Sequence, residues 1–147
     1  MNTNADTTQA ARKIAMSRAK LSKTVVYYSQ LLYGMRPVPT PGLGTVATTK
    51  ELVLLFDPAV VGNKWTDDEV TGAVLHEVLH QALRHCPRAD KLEQGLGASF
   101  DRYLWNVCAD FECNRIVRGL DDSAIVELRP SLGNDSDSRA PSDLGRG

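Results

Sequence analysis

All three histidines of this 147-residue chain fall within ten positions, at 76, 80 and 85, in the stretch VLHEVLHQALRH. His76 and His80 are four apart. On a helix that spacing puts both on one face, with Cβ atoms roughly 5–6 Å apart, so two imidazoles can reach one metal ion. Glu77 lies about 100° round the helix from His76, placed to address a water and poorly placed to join the ligands. His-Glu-x-x-His on a helix is the arrangement of zinc hydrolases. Zn²⁺ accepts neutral imidazole nitrogens, and a catalytic site takes three protein ligands and keeps its fourth position for water. The ion lowers that water's pKa from about 15.7 toward about 7, and Glu77 as general base takes its proton during attack on a carbonyl. The bland alternative is a polar helix face whose histidines pack against the core.

Two histidines leave a third ligand to find. On a continuous helix His85 stands about 140° from His80 and about 180° from His76. It can join a metal only if the helix ends before it and the chain folds back; otherwise it makes a polar contact on the helix's other side. The stretch LWNVCADFECN offers better. Asn106, Asp110 and Asn114 step by four and form one stripe. Their neighbours Val107, Cys113 and Val117 are apolar, and polar groups buried unpaired among such residues cost free energy. Asp110 is the expected third ligand, with Asn106 and Asn114 as supporting amides. Glu112 points away from Asp110, near Arg115, as a solvated ion pair. No residue stands out as an oxyanion stabiliser; Tyr103, a turn before the stripe, is the candidate. An odd count of three cysteines argues against a disulfide framework. Cys86, Cys108 and Cys113 read as small buried hydrophobes, with a thiolate ligand as the sharper option.

LHEVLHQALRH followed by LWNVCADFECN resembles the metallopeptidase domain of the VWA-like family, found in bacteria and phages. The resemblance spans residues 45–118 or so. It implies a zincin-like fold, zinc at His76, His80 and Asp110, and Glu77 as catalytic base, and it keeps a role for His85 open. Members of that family generally continue into a VWA-like domain. Here a polar tail follows, as in a stand-alone phage-type or truncated version.

The elements that must position these residues are legible in outline. Ile14, Leu21, Val25, Tyr28 and Leu32 draw one apolar stripe and predict a helix over residues 7–33, after a frayed start and before Gly34. RPVPTPGLG, with three prolines, predicts an extended connector. TVATT, residues 45–49, predicts an exposed strand, and ELVLLF, residues 51–56, a buried one, with Lys50 at the turn. Thr66 and Glu69 form a capping box, and Trp65 and Val70 a hydrophobic staple, for a helix over residues 66–84 that Pro87 keeps short. Residues 88–99 read as loop, and a third helix is predicted over residues 100–118. Residues 129–147, rich in Ser, Asp, Gly and Pro, read as disordered. The expected architecture is one α+β domain, residues 1–128, of a minimal zincin-like kind: a few helices on a small sheet, with the histidine motif on the central helix.

Composition excludes some classes. Hydrophobic content of 42% and charged content of 24% suit one globular domain. No apolar run reaches the roughly 20 residues a bilayer span needs, and MNTNADTTQAARK lacks a signal's apolar core. A cytoplasmic location follows as an expectation. Residues 1–50 carry a surplus of basic groups (Arg12, Lys13, Arg18, Lys20, Lys23, Arg36 and Lys50 against Asp6), and the rest of the chain is acidic. That split raises two rivals to a peptidase acting on peptides or proteins. One is a non-catalytic, metal-stabilised module whose basic first helix binds an acidic partner; the other is a peptidase recruited to nucleic acid.

Overall fold

The computed structural model describes residues 3–119, so the tail at 129–147 and the end of the expected domain at 128 lie outside the described residues. The architecture is α+β and mostly helical, with one three-stranded sheet.

Helix α1 spans Thr3–Thr24. It begins before the expected residue 7, and it does not run on to 33. The chain leaves helical geometry at Val25, makes a 3₁₀ turn over Val26–Tyr28, and resumes as α2 over Ser29–Gly34. The run Val25-Val26-Tyr27-Tyr28 explains the break, because β-branched and aromatic side chains crowd the preceding helical turn. Most of the stripe survives: Ile14, Leu21, Val25 and Leu32 are buried, and Tyr28 is half-buried against the same core. Arg18 fastens α2 back onto α1. Its Nε donates to the Leu32 carbonyl at 2.7 Å, and its Nη2 donates to the same oxygen and to Met35 O at 2.7 Å. The carbonyls at the end of α2 thus gain partners that the helix cannot supply.

Residues expected as a connector form a strand instead. β1, Arg36–Pro39, pairs in parallel with β3, Val53–Phe56, and β3 pairs antiparallel with β2, Val46–Thr48. The order is β1-β3-β2, so β1 is an edge, where prolines that lack an N–H are tolerated. Arg36 and Thr40 donate to Leu52 O and Phe56 O, so the proline-free positions carry these bonds to β3. β3 buries Leu54 and Phe56. β2 is the other edge, but Val46 is buried rather than exposed, because α3 packs against this strand. After β3, buried Asp57 accepts the N–H groups of Gly44 at 2.8 Å and Ala59 at 3.0 Å, tying the 40–44 loop down. A π-helical turn, Val60–Lys64, then lies against α1, with Gly62 buried in the contact.

Helix α3, Asp67–Ala82, starts at the capping box expected for it. Thr66 Oγ1 accepts from Glu69 N at 3.2 Å, and Thr66 N donates to Glu69 Oε2 at 2.7 Å. Val70, Val74, Leu75, Val78 and Leu79 face a core completed by Ile14, Leu21, Met35, Leu54 and Phe56. The helix stops two residues short of 84. Arg84 then takes a left-handed conformation (φ 54°, ψ 42°), and a new helix begins at once: α4, His85–Leu96, where a loop was expected. Pro87 sits in the first turn of α4, where no helical acceptor awaits its missing N–H. A proline there ends one helix and is equally at home opening the next. Helix α5, Arg102–Gly119, is close to its expected bounds, with Asp101 Oδ1 accepting from Leu104 N at 3.0 Å. It buries Ala109, Cys113 and Val117 and packs on α3 and α4.

Candidate metal centre

α3 and α5 bring three donor atoms into a small triangle. His80 Nε2 lies 2.9 Å from His76 Nε2, and Asp110 Oδ1 lies 3.3 Å from His76 Nε2 and 3.1 Å from His80 Nε2. A tetrahedral zinc ion with bonds of about 2.0–2.2 Å sets its donors roughly 3.3–3.6 Å apart. The triangle is a few tenths of an ångström tighter, so these donors fit one ion with little movement. Two bare imidazole nitrogens this close repel unless a proton or a cation lies between them. The histidine side chains are mostly covered, while Asp110 is 54% exposed, so the triangle opens on one side.

His80 and Asp110 line a cavity of about 260 Å³ together with Thr48, Glu77, Trp105 and Asn106 among others. The backbone N–H of Thr48 on the sheet edge favours the ionised form of Glu77, yet its carboxyl is pushed up to about 8. Burial is the main cause, and the charge of Asp110 adds to it. His80 moves the other way, down to about 4, chiefly because burial disfavours its charged form and secondly because His76 and His85 crowd it with like charge. A neutral imidazole is the form that ligates metal.

His85 does what the fold-back condition required, by a route the helix angles could not show. The left-handed Arg84 swings it under α3, where it is 3% exposed. It stays outside the triangle: its Nδ1 lies 2.8 Å from His80 Nδ1, and its Nε2 lies 2.9 Å from Glu112 Oε2. Glu112, expected to pair with Arg115 in solvent, therefore has a buried partner, and that hydrogen bond is the first cause of its carboxyl sitting below the ordinary range. Arg88, 3.8 Å away, also pairs with it.

The remaining candidates separate. Asn106 is exposed and lines the cavity, whereas Asn114 lines a different pocket with Val107, Asp110 and Phe111. The stripe was expected to be inset among apolar groups; it instead borders solvent, since α5 turns only Ala109, Cys113 and Val117 fully inward. Tyr103, the oxyanion candidate, is 78% exposed and outside the cavity lining. Cys108 is exposed and Cys86 half-buried, but Cys113 is buried, with its sulfur within 4.8 Å of donor atoms of both His76 and His80. Burial first, then the charges of Asp110 and Glu77, push its thiol up to about 12. His76, His80 and Cys113 are thus a second donor group able to hold an ion, beside the triangle that Asp110 completes at 3.1–3.3 Å. The position of Cys113 three residues after Asp110 was the available signal. The basic first helix is also less free than its sequence implied. Lys13 donates to Trp65 O at 2.6 Å, Lys20 pairs with Asp68 at 3.2 Å, and Arg18 caps α2.

Among the described residues no helix is long and apolar enough to cross a membrane. Residues 9–125 match the model of a family described as a putative metallopeptidase domain. Neither a curated protein nor a solved structure matches the chain.

Proposed function

We propose, for a chain that belongs to the family of putative metallopeptidase domains, a zinc-dependent hydrolase that cleaves peptide bonds. The observation that carries this is the triangle of His76 Nε2, His80 Nε2 and Asp110 Oδ1, with edges of 2.9–3.3 Å, of which His80 and Asp110 line a cavity with Glu77. Two imidazoles and a carboxylate are the ligand set of catalytic rather than structural zinc sites, which favour thiolates. When bound, the dication would polarise a carbonyl, bring the pKa of a water toward about 7, and draw the Glu77 carboxyl down into its ionised form.

Glu77 then holds the proton in transit, taking it from the water and giving it to the leaving amine. The backbone N–H of Thr48 favours that carboxylate's ionised form. β2 is a sheet edge, and its Ala47 and Thr48 line the cavity, so an extended peptide can add there as a further strand. Gln81 steadies that edge, its Nε2 donating to Thr48 Oγ1 at 2.6 Å and to Thr49 O at 2.7 Å.

The test is elemental analysis of purified protein together with cleavage of an unfolded protein substrate. Wild type should carry one zinc per chain and cut. Asp110→Ala should lose metal and activity together, and Glu77→Gln should keep metal and lose activity. Zinc bound normally with no cleavage before or after the Glu77 change would leave a metal-stabilised binding module in place of the enzyme.

A further inference from the structure

We propose that Glu112 and His85 are positioning residues that hold His80 as its Nδ1–H tautomer, so that its Nε2 lone pair faces His76 and Asp110. The inference deepens the metal-centre reading, and rests on it for the last step, the effect on metal affinity.

Glu112 stands at the end of the hydrogen-bond chain farthest from the triangle. An ionised carboxylate only accepts hydrogen bonds. Glu112 Oε2 lies 2.9 Å from His85 Nε2, so that nitrogen must carry the proton. A neutral imidazole has one N–H and one bare nitrogen, which leaves His85 Nδ1 bare. That bare atom lies 2.8 Å from His80 Nδ1, which must therefore donate. His80 is then bare at Nε2, the atom 2.9 Å from His76 and 3.1 Å from Asp110. With Glu112 ionised and His85 neutral, each step follows from hydrogen-bond direction, and no metal is assumed. The opposite assignment sets a bare His85 Nε2 against a carboxylate oxygen, two acceptors face to face.

The surroundings hold the chain of bonds in place. His85 is 3% exposed, with the Trp105 ring edge-on at 6.3 Å between centroids and Cys113 Sγ 3.9 Å from its Nδ1. The backbone turn at Arg84 fixes where His85 starts, and α5 fixes where Glu112 ends. The sequence conceals the pairing because Glu112 and His85 are 27 positions apart and a continuous α3 would carry His85 to its far side.

The test uses the full chain, first stripped of metal with a chelator. Long-range ¹H–¹⁵N correlation spectra of the imidazoles report which nitrogen of each histidine is protonated. Wild type should show His80 protonated at Nδ1 and His85 at Nε2. Zinc affinity, by competition with a chromophoric chelator, should fall 10–100-fold in Glu112→Ala, the range seen when a ligand's supporting partner is removed. Glu112→Gln, whose amide oxygen still accepts, should keep the wild-type tautomer and lose less than about tenfold. Glu112 is 37% exposed, so both variants should fold, and melting of the metal-free proteins checks that. His80 protonated at Nε2 in wild type, or a doubly protonated His85 reversing the bond, overturns the proposal. So does an unchanged tautomer and affinity in Glu112→Ala, and so does an equal loss in the Ala and Gln variants with the tautomer unmoved. Wild type that binds no zinc, or an Asp110→Ala variant that binds as well as wild type, instead overturns the metal-centre reading, and the tautomer spectrum still decides this one.

Discussion

Glu77 should make the metal-free protein sensitive to alkali, by an amount that follows from its buried setting. Its carboxyl is raised from an ordinary 4.5 to about 8, first by burial and then by the charge of Asp110. Between those two values the folded chain holds a proton at Glu77 that the unfolded chain has released. Stability must then fall as pH rises through this window. At about 1.36 kcal/mol per tenfold, the full displacement amounts to nearly 5 kcal/mol. Water in the cavity solvates part of the ionised form, so a loss of about 2–3 kcal/mol is the reasonable expectation. Glu77→Gln removes the titrating group and keeps the shape. Denaturant unfolding of both chelator-treated proteins, from pH 5 to pH 9, reads the difference. The curves should meet at pH 5 and separate in favour of the variant toward pH 9. His80 and the other titrating groups are common to both proteins and cancel to first order. Curves that stay parallel across the range would refute the claim that Glu77 is ionised at a cost in the metal-free fold.

Arg84→Gly should stabilise the protein by about 1 kcal/mol, read as a higher melting temperature, since the left-handed backbone costs a side-chain-bearing residue roughly 1–2 kcal/mol. Gly62→Ala should cost about 1–3 kcal/mol in denaturant unfolding, because the added Cβ would lie 2.9 Å from the backbone oxygen of Asp6 on α1. Asp57→Ala should cost about 2 kcal/mol at neutral pH by leaving the Gly44 and Ala59 N–H groups without their acceptor. Those bonds hold the Asp57 carboxyl below its ordinary range, so wild type should lose this advantage only as pH falls below about 4, where the two unfolding curves should converge.

Local signals were read more reliably than long-range ones. The start of α3 was legible because a capping box and a staple are written within six residues of chain. The His76–His80 pair and the Asp110 stripe were legible because helical periodicity alone puts them on faces. Strand β1 was not, since RPVP lacks alternation and owes its place to β3, a partner some 17 positions on. The break at Val25 was hidden by an apolar stripe that continues across it in space although the helix does not. Helix α4 is hidden because Pro87, which stops a helix that reaches it, is equally suited to the first turn of a new one. The burial of His85 depends on one backbone torsion at Arg84, a non-glycine residue that gives no local sign of leaving helical geometry.

The single left-handed residue between α3 and α4 also works as a length gauge. Five positions separate His80 from His85, and the reversal at Arg84 uses all the slack between them. One residue added or removed there would turn the start of α4 by about 100°, carrying the His85 ring off its neighbour while both helices stayed intact. The exposed outer face of α4 carries no such constraint, so changes of sequence there should be far better tolerated than any change of spacing at this junction.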